Sequence, residues 1–259
     1  MPVTTGTRIR ELMLEMPVAA RILSNHQIDF CGNAARTVEE VCRERRISAA
    51  VIAQEIETAA ARRPEAGRDW SGVPLGELME HIVAWHHGFL VTELPWAEAM
   101  ARKVNGKHGA EQPFLASVQV AVMELREELE AHLAKEECVL FPYIASLEKA
   151  ALGEGRPAAA CFGTVAHPIR MMEFEHHSAC GKLQALRGLT SGYAPPPESC
   201  VSFRVLYASL MAIEADLRVH IALENEVLHP AALELESRLA NLANADLGSA
   251  RGSCYTHRL

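Results

Sequence analysis

The stretch that decides the fold occurs twice: residues 132–142 read HLAKEECVLFP, and residues 220–230 read HIALENEVLHP. Each copy places a histidine four residues before a glutamate and ends in Val-Leu, one further residue and proline. Four residues turn an α-helix through about 400°, so the histidine and the glutamate share a helix face. The prolines, Pro142 and Pro230, predict a stop or a kink at the preceding residue. One His-x-x-x-Glu is common on solvated helices, but its recurrence in an eleven-residue pattern indicates two equivalent helices at one site.

Each copy supplies half of a metal site, namely His132 with Glu136 and His220 with Glu224. Facing helices build metal sites in the cores of helix bundles. We therefore predict that the two copies face each other and that two further helices each add one inward ligand.

The composition predicts a helical protein with a buried core. Apolar residues make up 49% of the 259 residues and aromatic residues only 5%, which favours helix over sheet. The net charge of −8 argues against a nucleic-acid partner. No run approaches the roughly 18 apolar residues that span a membrane, and the N-terminus lacks the apolar part of a signal peptide. The seven scattered cysteines fit a reducing compartment, so we expect a cytoplasmic protein with no membrane partner.

The chain is predicted to contain a small N-terminal helical domain over residues 1–65, in which Thr37 opens a capping box. A segment rich in proline, glycine and charge at 61–74 is the predicted linker. Four long helical patterns follow, over about 75–104, 114–147, 167–188 and 199–239. They predict an all-α, up-down-up-down four-helix bundle over 75–238 and a flexible tail over 239–259.

The first and third helices offer the remaining ligands. On the third helix, the apolar face through Ile169 and Met172 continues to His176, which favours this residue over its neighbour. On the first helix, the candidates are His81, His86 and His87, and periodicity does not separate the last two. The choice between them stays open at this point.

Four histidines and two glutamates without a thiolate suit iron or manganese better than structural zinc. Two six-coordinate metals offer roughly twelve positions. The imidazoles would fill four, two bridging carboxylates four and an oxo or hydroxo bridge two, which leaves about two open. We therefore hypothesise a dinuclear site that binds a small diatomic molecule or exchanges its metal.

A ferritin-like arrangement is the alternative, because Glu-x-x-His occurs at 173–176 and at 226–229. His229, however, corresponds to Phe141 in the first copy, so we interpret it as a substituted packing position. Glu137 and Asn225, which follow the two glutamates, are interpreted as surface or cap residues, with a hydrogen bond to a metal ligand as the alternative.

Several stretches between residues 10 and 232 together match a known family. They are Ile28-Asp-Phe-Cys31, His81-Ile-Val-Ala-Trp-His-His87, Glu93-Leu-Pro95, Lys103-Val104, His132-Leu-Ala-Lys-Glu-Glu137 with Leu-Phe-Pro142, Pro168-Ile, Met172-Glu-x-Glu-His176, Pro195-Pro-Pro-Glu-x-Cys200 and His220-x-x-Leu-Glu-Asn225. In these stretches the chain resembles the bacterial iron–sulfur cluster repair di-iron proteins, or repair-of-iron-centres family, which have a hemerythrin-like bundle. The resemblance implies two non-haem iron ions, oxo- or hydroxo-bridged, with the glutamates bridging. The implied ligands are His87, His132, Glu136, His176, His220 and Glu224.

The resemblance also implies a cytoplasmic protein of the nitrosative and oxidative stress response. Such a protein would bind nitric oxide at the iron, reduce it to nitrous oxide if an electron donor exists, or restore damaged iron–sulfur proteins by donating iron. A dioxygen carrier or sensor and a ferritin-like oxidase are the alternative functions. Enzymatic turnover, simple binding and a homodimer all stay open.

One departure from the family concerns the candidate thiol Cys31. Family members commonly carry Cys-Cys-Gly-Gly here, whereas this chain has Cys31-Gly32-Asn33. The missing second cysteine argues against a function that needs two adjacent thiols. Nitric oxide binding tolerates this loss more easily than repair does.

Overall fold

The computed structural model describes residues 4–61 and 68–252, and over these residues the protein is helical with no β-strand. The α-helices are α1 (Ile9–Glu15), α2 (Val18–Asn25), α3 (Val38–Arg45), α4 (Ala49–Ala61), α5 (Leu75–His81), α6 (Gly88–His108), α7 (Phe114–Lys135), α8 (Phe141–Ala151), α9 (Ala166–Leu189), α10 (Val201–Leu223) and α11 (His229–Gly252). Three π-helical segments lie between consecutive α-helices: π1 (Ile82–His87), π2 (Glu136–Leu140) and π3 (Glu224–Leu228). The prediction of an all-α protein is confirmed.

Contacts between residues divide the chain into two compact units. The first unit is Met1–Arg68, Phe89–Glu127 and Cys180–Leu217, and the second is Asp69–Gly88, Glu128–Ala179 and Arg218–Leu259. The predicted domains over 1–65 and 75–238 stay predictions, because contacts between residues do not show which segments fold independently. The predicted linker includes residues 62–67, which lie outside the described residues.

The first unit contains the N-terminal helices α1–α4. The predicted capping box is confirmed at α3: the Thr37 hydroxyl accepts from the Glu40 backbone N–H at 3.2 Å, and the Glu40 carboxylate accepts from the Thr37 N–H at 2.9 Å. The largest fully buried side chains of these N-terminal segments are Phe30, Ile9, Leu23, Ile28, Ile52 and Ile56. Burial of each such side chain contributes roughly 1.5–3 kcal/mol, which explains how four short helices are held in place.

The second unit is held by an apolar core and by two carboxylates that bind helix beginnings. The fully buried members of this core are Ile82, Ile144, Leu147, Val165, Leu228 and Ala232. Glu148 on α8 accepts from the backbone N–H groups of Leu75 and Gly76 at 2.7 and 2.9 Å, at the start of α5. Glu236 on α11 accepts from the Val165 N–H at 3.0 Å, just before α9 begins. Both carboxylates satisfy N–H groups that have no partner inside their own helix.

The two prolines of the repeat do not stop their helices. Pro142 is the second residue of α8 and Pro230 the second of α11, and each follows directly on a π segment. Of the two predicted alternatives, a stop or a kink, the stop does not occur. A π segment already breaks the regular i to i−4 hydrogen bonds, so a residue without an N–H is tolerated just after it.

The last helix is longer than the sequence predicted. α11 continues to Gly252, since residues 231–247 contain no glycine or proline. The predicted flexibility of 239–259 stays a prediction, and residues 253–259 lie outside the described part of the chain. Among the described helices, none is long and apolar enough to cross a membrane. The six described cysteines are free thiols, and Cys254 lies outside the described residues.

We expect Ile144→Ala to lower the free energy of unfolding by about 2–5 kcal/mol, because it leaves a cavity in the core of the second unit. Ile144 is completely buried there. Urea unfolding of the metal-free protein measures the change. The control is Leu152→Ala at a side chain that is 72% exposed, for which we expect a change within about 0.5 kcal/mol. Equal losses in the two variants would contradict the assigned core.

Candidate metal centre

Six side chains of the second unit, four imidazoles and two carboxylates, meet in its interior. Each is at most 2% exposed: His87, His132, Glu136, His176, His220 and Glu224. They come from four helical stretches, and each of the two His-x-x-x-Glu copies supplies a pair. The structure thus brings together all six residues that the resemblance implied as ligands. Metal binding by these six residues is a prediction that their geometry supports.

The six residues form two sets of four that share both glutamates. One set is His87, Glu136, His220 and Glu224, and the other is His132, Glu136, His176 and Glu224. Within each set, one candidate ligand atom from each residue lies within 4.8 Å of the others. An arrangement in which two carboxylates belong to both sets suits two metal ions with the carboxylates between them.

Short contacts link the imidazoles to the shared carboxylates. Glu136 Oε1 lies 3.2 Å from His132 Nε2, and Glu136 Oε2 lies 3.4 Å from His87 Nε2. Glu224 Oε1 lies 3.1 Å from His220 Nε2, and Glu224 Oε2 lies 3.0 Å from His176 Nε2. Each carboxylate therefore contacts one imidazole of each set, with one oxygen to each.

Three of the six candidate ligands lie in π segments, on three of the four helical stretches. His87 is the last residue of π1, Glu136 is the first of π2, and Glu224 is the first of π3. A π segment adds one residue to a helical turn and shifts the side chains that follow. This shift explains why His86 and His87 are both buried although they are neighbours in sequence. Only His87 belongs to a set of four, whereas the His86 ring stacks on the His220 ring at 5.6 Å.

Two imidazoles are oriented by residues that neighbour the glutamates. His87 Nδ1 lies 2.8 Å from Glu137 Oε1, and His176 Nδ1 lies 3.0 Å from Asn225 Oδ1. Both oxygens accept hydrogen bonds, so each Nδ1 donates and each Nε2 presents its lone pair to the centre. Glu137 and Asn225 thus each bond a candidate ligand, which was the alternative, and the Glu137 side chain is at the same time exposed at the surface, as was also predicted.

A third imidazole is oriented by a carboxylate that the sequence analysis missed. His132 Nδ1 donates to Glu175 Oε2 at 2.9 Å, and the other oxygen of Glu175 contacts the ammonium of Lys135. Glu175 precedes His176 by one residue, just as Glu137 follows Glu136. All three residues that bond the outer nitrogens, Glu137, Glu175 and Asn225, thus lie next to a candidate ligand in the sequence. These outer partners could have been found from that position and from their acidic or amide side chains.

In these groups, burial and the neighbouring side chains of opposite charge shift the pKa in opposite directions. Burial lowers the pKa of His132, but Glu136 and Glu175 outweigh it and raise that pKa to about 9. Burial likewise lowers the pKa of His87, but Glu136 and Glu137 raise it by more, so this pKa lies above its usual value. Burial raises the pKa values of Glu136 and Glu224, and the charge of Glu224 adds to this effect at Glu136, yet the surrounding imidazoles hold both pKa values below the usual range. Both carboxylates are therefore ionised and demand positive charge nearby.

Several polar atoms of the six side chains are buried without a hydrogen bond, which indicates that these side chains fit metal ions. Both oxygens of Glu136 and of Glu224 are buried without a hydrogen bond, as is His220 Nε2. Buried polar atoms without partners are rare in proteins and costly unless a cation binds them. His132 Nε2 and His176 Nε2 also point at each other, 3.0 Å apart. Imidazole and carboxylate donors without thiolate suit iron or manganese.

The ferritin-like alternative requires Glu173 and Glu226, and the structure leaves both carboxylates exposed and outside the two sets. His229 is 1% exposed, as a packing position requires, and it also lies outside both sets. His81 contacts the Trp70 ring at 4.5 Å and is not part of either set.

Cys31, the candidate thiol, lies in the first unit and is half-buried. Its Sγ is 2.6 Å from Ser202 Oγ and 3.9 Å from Lys103 Nζ. A Cβ atom at Gly32 would lie 2.5 Å from Asp29 Oδ2, so a second cysteine there would force the Asp29 side chain to move. A role for Cys31 stays a prediction.

Comparison with known proteins gives two domain matches. Residues 78–232 match the Hemerythrin HHE cation binding domain. Residues 5–60 match ScdA_N, a domain of unknown function. All six candidate ligands fall inside the first match, and Cys31 falls inside the second.

Several curated proteins that are similar to this chain have the same name. The chain is 33% identical over 223 residues to the iron-sulfur cluster repair protein YtfE of Edwardsiella ictaluri (strain 93-146), covering 86% of this chain and 95% of that protein. It is 33% identical to the protein of that name in Cronobacter sakazakii (strain ATCC BAA-894), covering 86% and 94%. It is 31% identical to the one in Escherichia coli O8 (strain IAI1), again covering 86% and 94%.

We expect Glu224→Gln to weaken iron binding by more than the roughly 10–100-fold that loss of an outer partner costs, because Glu224 belongs to both sets. Metal analysis after desalting measures the bound iron. The matched control is Glu226→Gln, which changes an exposed carboxylate two residues away in the same π segment and should retain the iron. Iron loss in the control with retention in Glu224→Gln would favour the ferritin-like ligands.

Iron binding should weaken as the pH falls below about 9, the pKa of His132 in the metal-free protein. Below that pH the imidazole is protonated, and iron must displace the proton from Nε2. We expect the affinity for ferrous iron to fall about tenfold or more per pH unit between pH 8 and 6. Anaerobic titration with an indicator dye should detect proton release. An affinity that does not change over this range would contradict the charge compensation described above.

Proposed function

The chain belongs to the family of iron–sulfur cluster repair proteins with a hemerythrin HHE domain, and we propose that it is a di-iron protein that binds nitric oxide. The site would hold two non-haem irons, with Glu136 and Glu224 as bridges and an oxo or hydroxo bridge between the metals. Its role would lie in the response to nitrosative stress and in the repair of iron–sulfur clusters.

The single observation that carries this proposal is the pair of four-residue sets with two shared glutamates. Each set offers two imidazole nitrogens and two carboxylate oxygens. A six-coordinate ion would keep about two positions for other ligands. When bound, iron would supply an electron-rich centre for a diatomic ligand, and the protein residues would hold it in a site closed to bulk water.

The name of the relatives supports the wider role. Repair of iron–sulfur clusters would make damaged iron–sulfur proteins the partners of this chain, and iron held at the centre the material it donates. Such clients would place the protein in the cytoplasm. Dioxygen is the competing ligand, and a carrier or sensor of dioxygen is the alternative that the experiment must separate.

The test is an anaerobic titration of the iron-loaded, reduced protein with nitric oxide, followed by visible and infrared spectroscopy. We expect new nitrosyl bands that saturate at a fixed ratio of nitric oxide to protein. A parallel titration with dioxygen should give oxidation of the iron rather than a reversible adduct. Reversible dioxygen binding without nitrosyl bands would establish the carrier instead.

A second assay addresses repair. A nitric-oxide-damaged [4Fe–4S] protein should recover its cluster on addition of the loaded chain, and Glu224→Gln should abolish the recovery. Equal recovery with free ferrous iron at the same concentration would contradict a repair function.

A further inference from the structure

His229 is a buried imidazole whose polarity the packing of the second unit does not require. It is the first residue of α11, is 1% exposed, and has no hydrogen-bond partner at either ring nitrogen. Every protonation state of histidine carries at least one N–H donor. A buried donor without a partner destabilises the folded protein, so the imidazole needs a reason to be there.

The equivalent position in the other copy shows that a phenyl ring fills the same place. Phe141 is the first residue after π2, and its ring stacks on the ligand candidate His87 at 5.8 Å and 20°. His229 is the first residue after π3, and its ring stacks on His176 at 6.1 Å and 6°. Both rings thus pack against one imidazole of the centre. A second phenylalanine would therefore pack equally well at this position. The feature that His229 adds is a polar N–H group.

The surroundings of His229 place it beside the half of the centre formed by His132 and His176. His176 Nε2 faces His132 Nε2 and Glu224 Oε2, each at 3.0 Å. His229 is absent from the two four-residue sets, which argues against a role as a ligand.

From these observations we infer that His229 is a ligand-binding residue, which donates a hydrogen bond to a small ligand bound at the His132/His176 half of the centre. This inference rests on the proposed function and deepens it. A donor at this point favours ligands whose outer atom carries negative charge and accepts a hydrogen bond, such as azide or reduced nitric oxide. The other half has phenylalanine at the corresponding position, so the two halves differ in polarity and the ligand should prefer one of them.

The test compares His229→Phe, which reproduces the ring found at position 141, with His229→Gln, which retains an N–H donor. The probes are azide with the oxidised iron-loaded protein and nitric oxide with the reduced one. We expect His229→Phe to keep its iron and to release either probe about tenfold faster, the usual effect of losing one hydrogen bond to a charged acceptor. His229→Gln should restore part of the difference. The control Met172→Leu changes a buried side chain one turn from His176 and should leave release within about twofold.

Two further readouts separate a hydrogen bond from a change of packing. In the wild-type protein, transfer to deuterated water should shift the stretching frequency of bound azide, and His229→Phe should remove that shift. In the metal-free protein, His229→Phe should raise the midpoint of thermal unfolding, because the variant no longer buries an unpartnered donor.

The outcomes distinguish this inference from the proposed function. A wild-type protein that binds neither probe would overturn the proposed function. A wild-type protein that binds them, with unchanged release and an unchanged isotope shift in His229→Phe, would overturn only the role of His229. Loss of iron from both His229 variants would overturn it as well, because it would make His229 a metal ligand.

Discussion

Two buried carboxylates at the centre of the second unit impose the main constraint on this protein. Glu136 and Glu224 are completely buried, and all four of their oxygens lack a hydrogen bond. Ionised carboxylates in such surroundings destabilise a fold unless cations compensate them. In the metal-free chain, protons on neighbouring imidazoles supply part of that charge, as the raised pKa of His132 indicates. Bound metal ions would supply it fully, so folding, metal binding and pH are coupled through these two residues.

The surrounding helices serve to hold these charges at one place. The core of the second unit and the carboxylates of Glu148 and Glu236 fix where α5 and α9 begin. A π segment then sets the direction of His87, and the outer partners Glu137, Glu175 and Asn225 fix three of the four imidazole rings. Such hydrogen bonds orient the imidazoles toward the interior of the centre, as partners of metal-binding histidines do.

The sequence predicted the parts of this arrangement that depend on spacing. The repeat identified two His–Glu pairs, apolar periodicity identified His176, and family resemblance selected His87. The π segments could not be predicted, because apolar periodicity carries no information about an extra residue in a turn. Glu175 was missed because it is adjacent to His176, and neighbours on a regular helix point in different directions. Its contact with His132 comes from the approach of α7 and α9, a tertiary feature.

The central claim is that the two shared glutamates hold a pair of irons. Mössbauer spectroscopy of the chain reconstituted with ⁵⁷Fe tests it most directly, because the method reports every iron and its magnetic coupling. We predict about two irons per chain, in line with two six-coordinate sites, and a diamagnetic, antiferromagnetically coupled ground state when both are ferric. A spectrum of isolated paramagnetic ferric iron, at one ion per chain, would contradict the account.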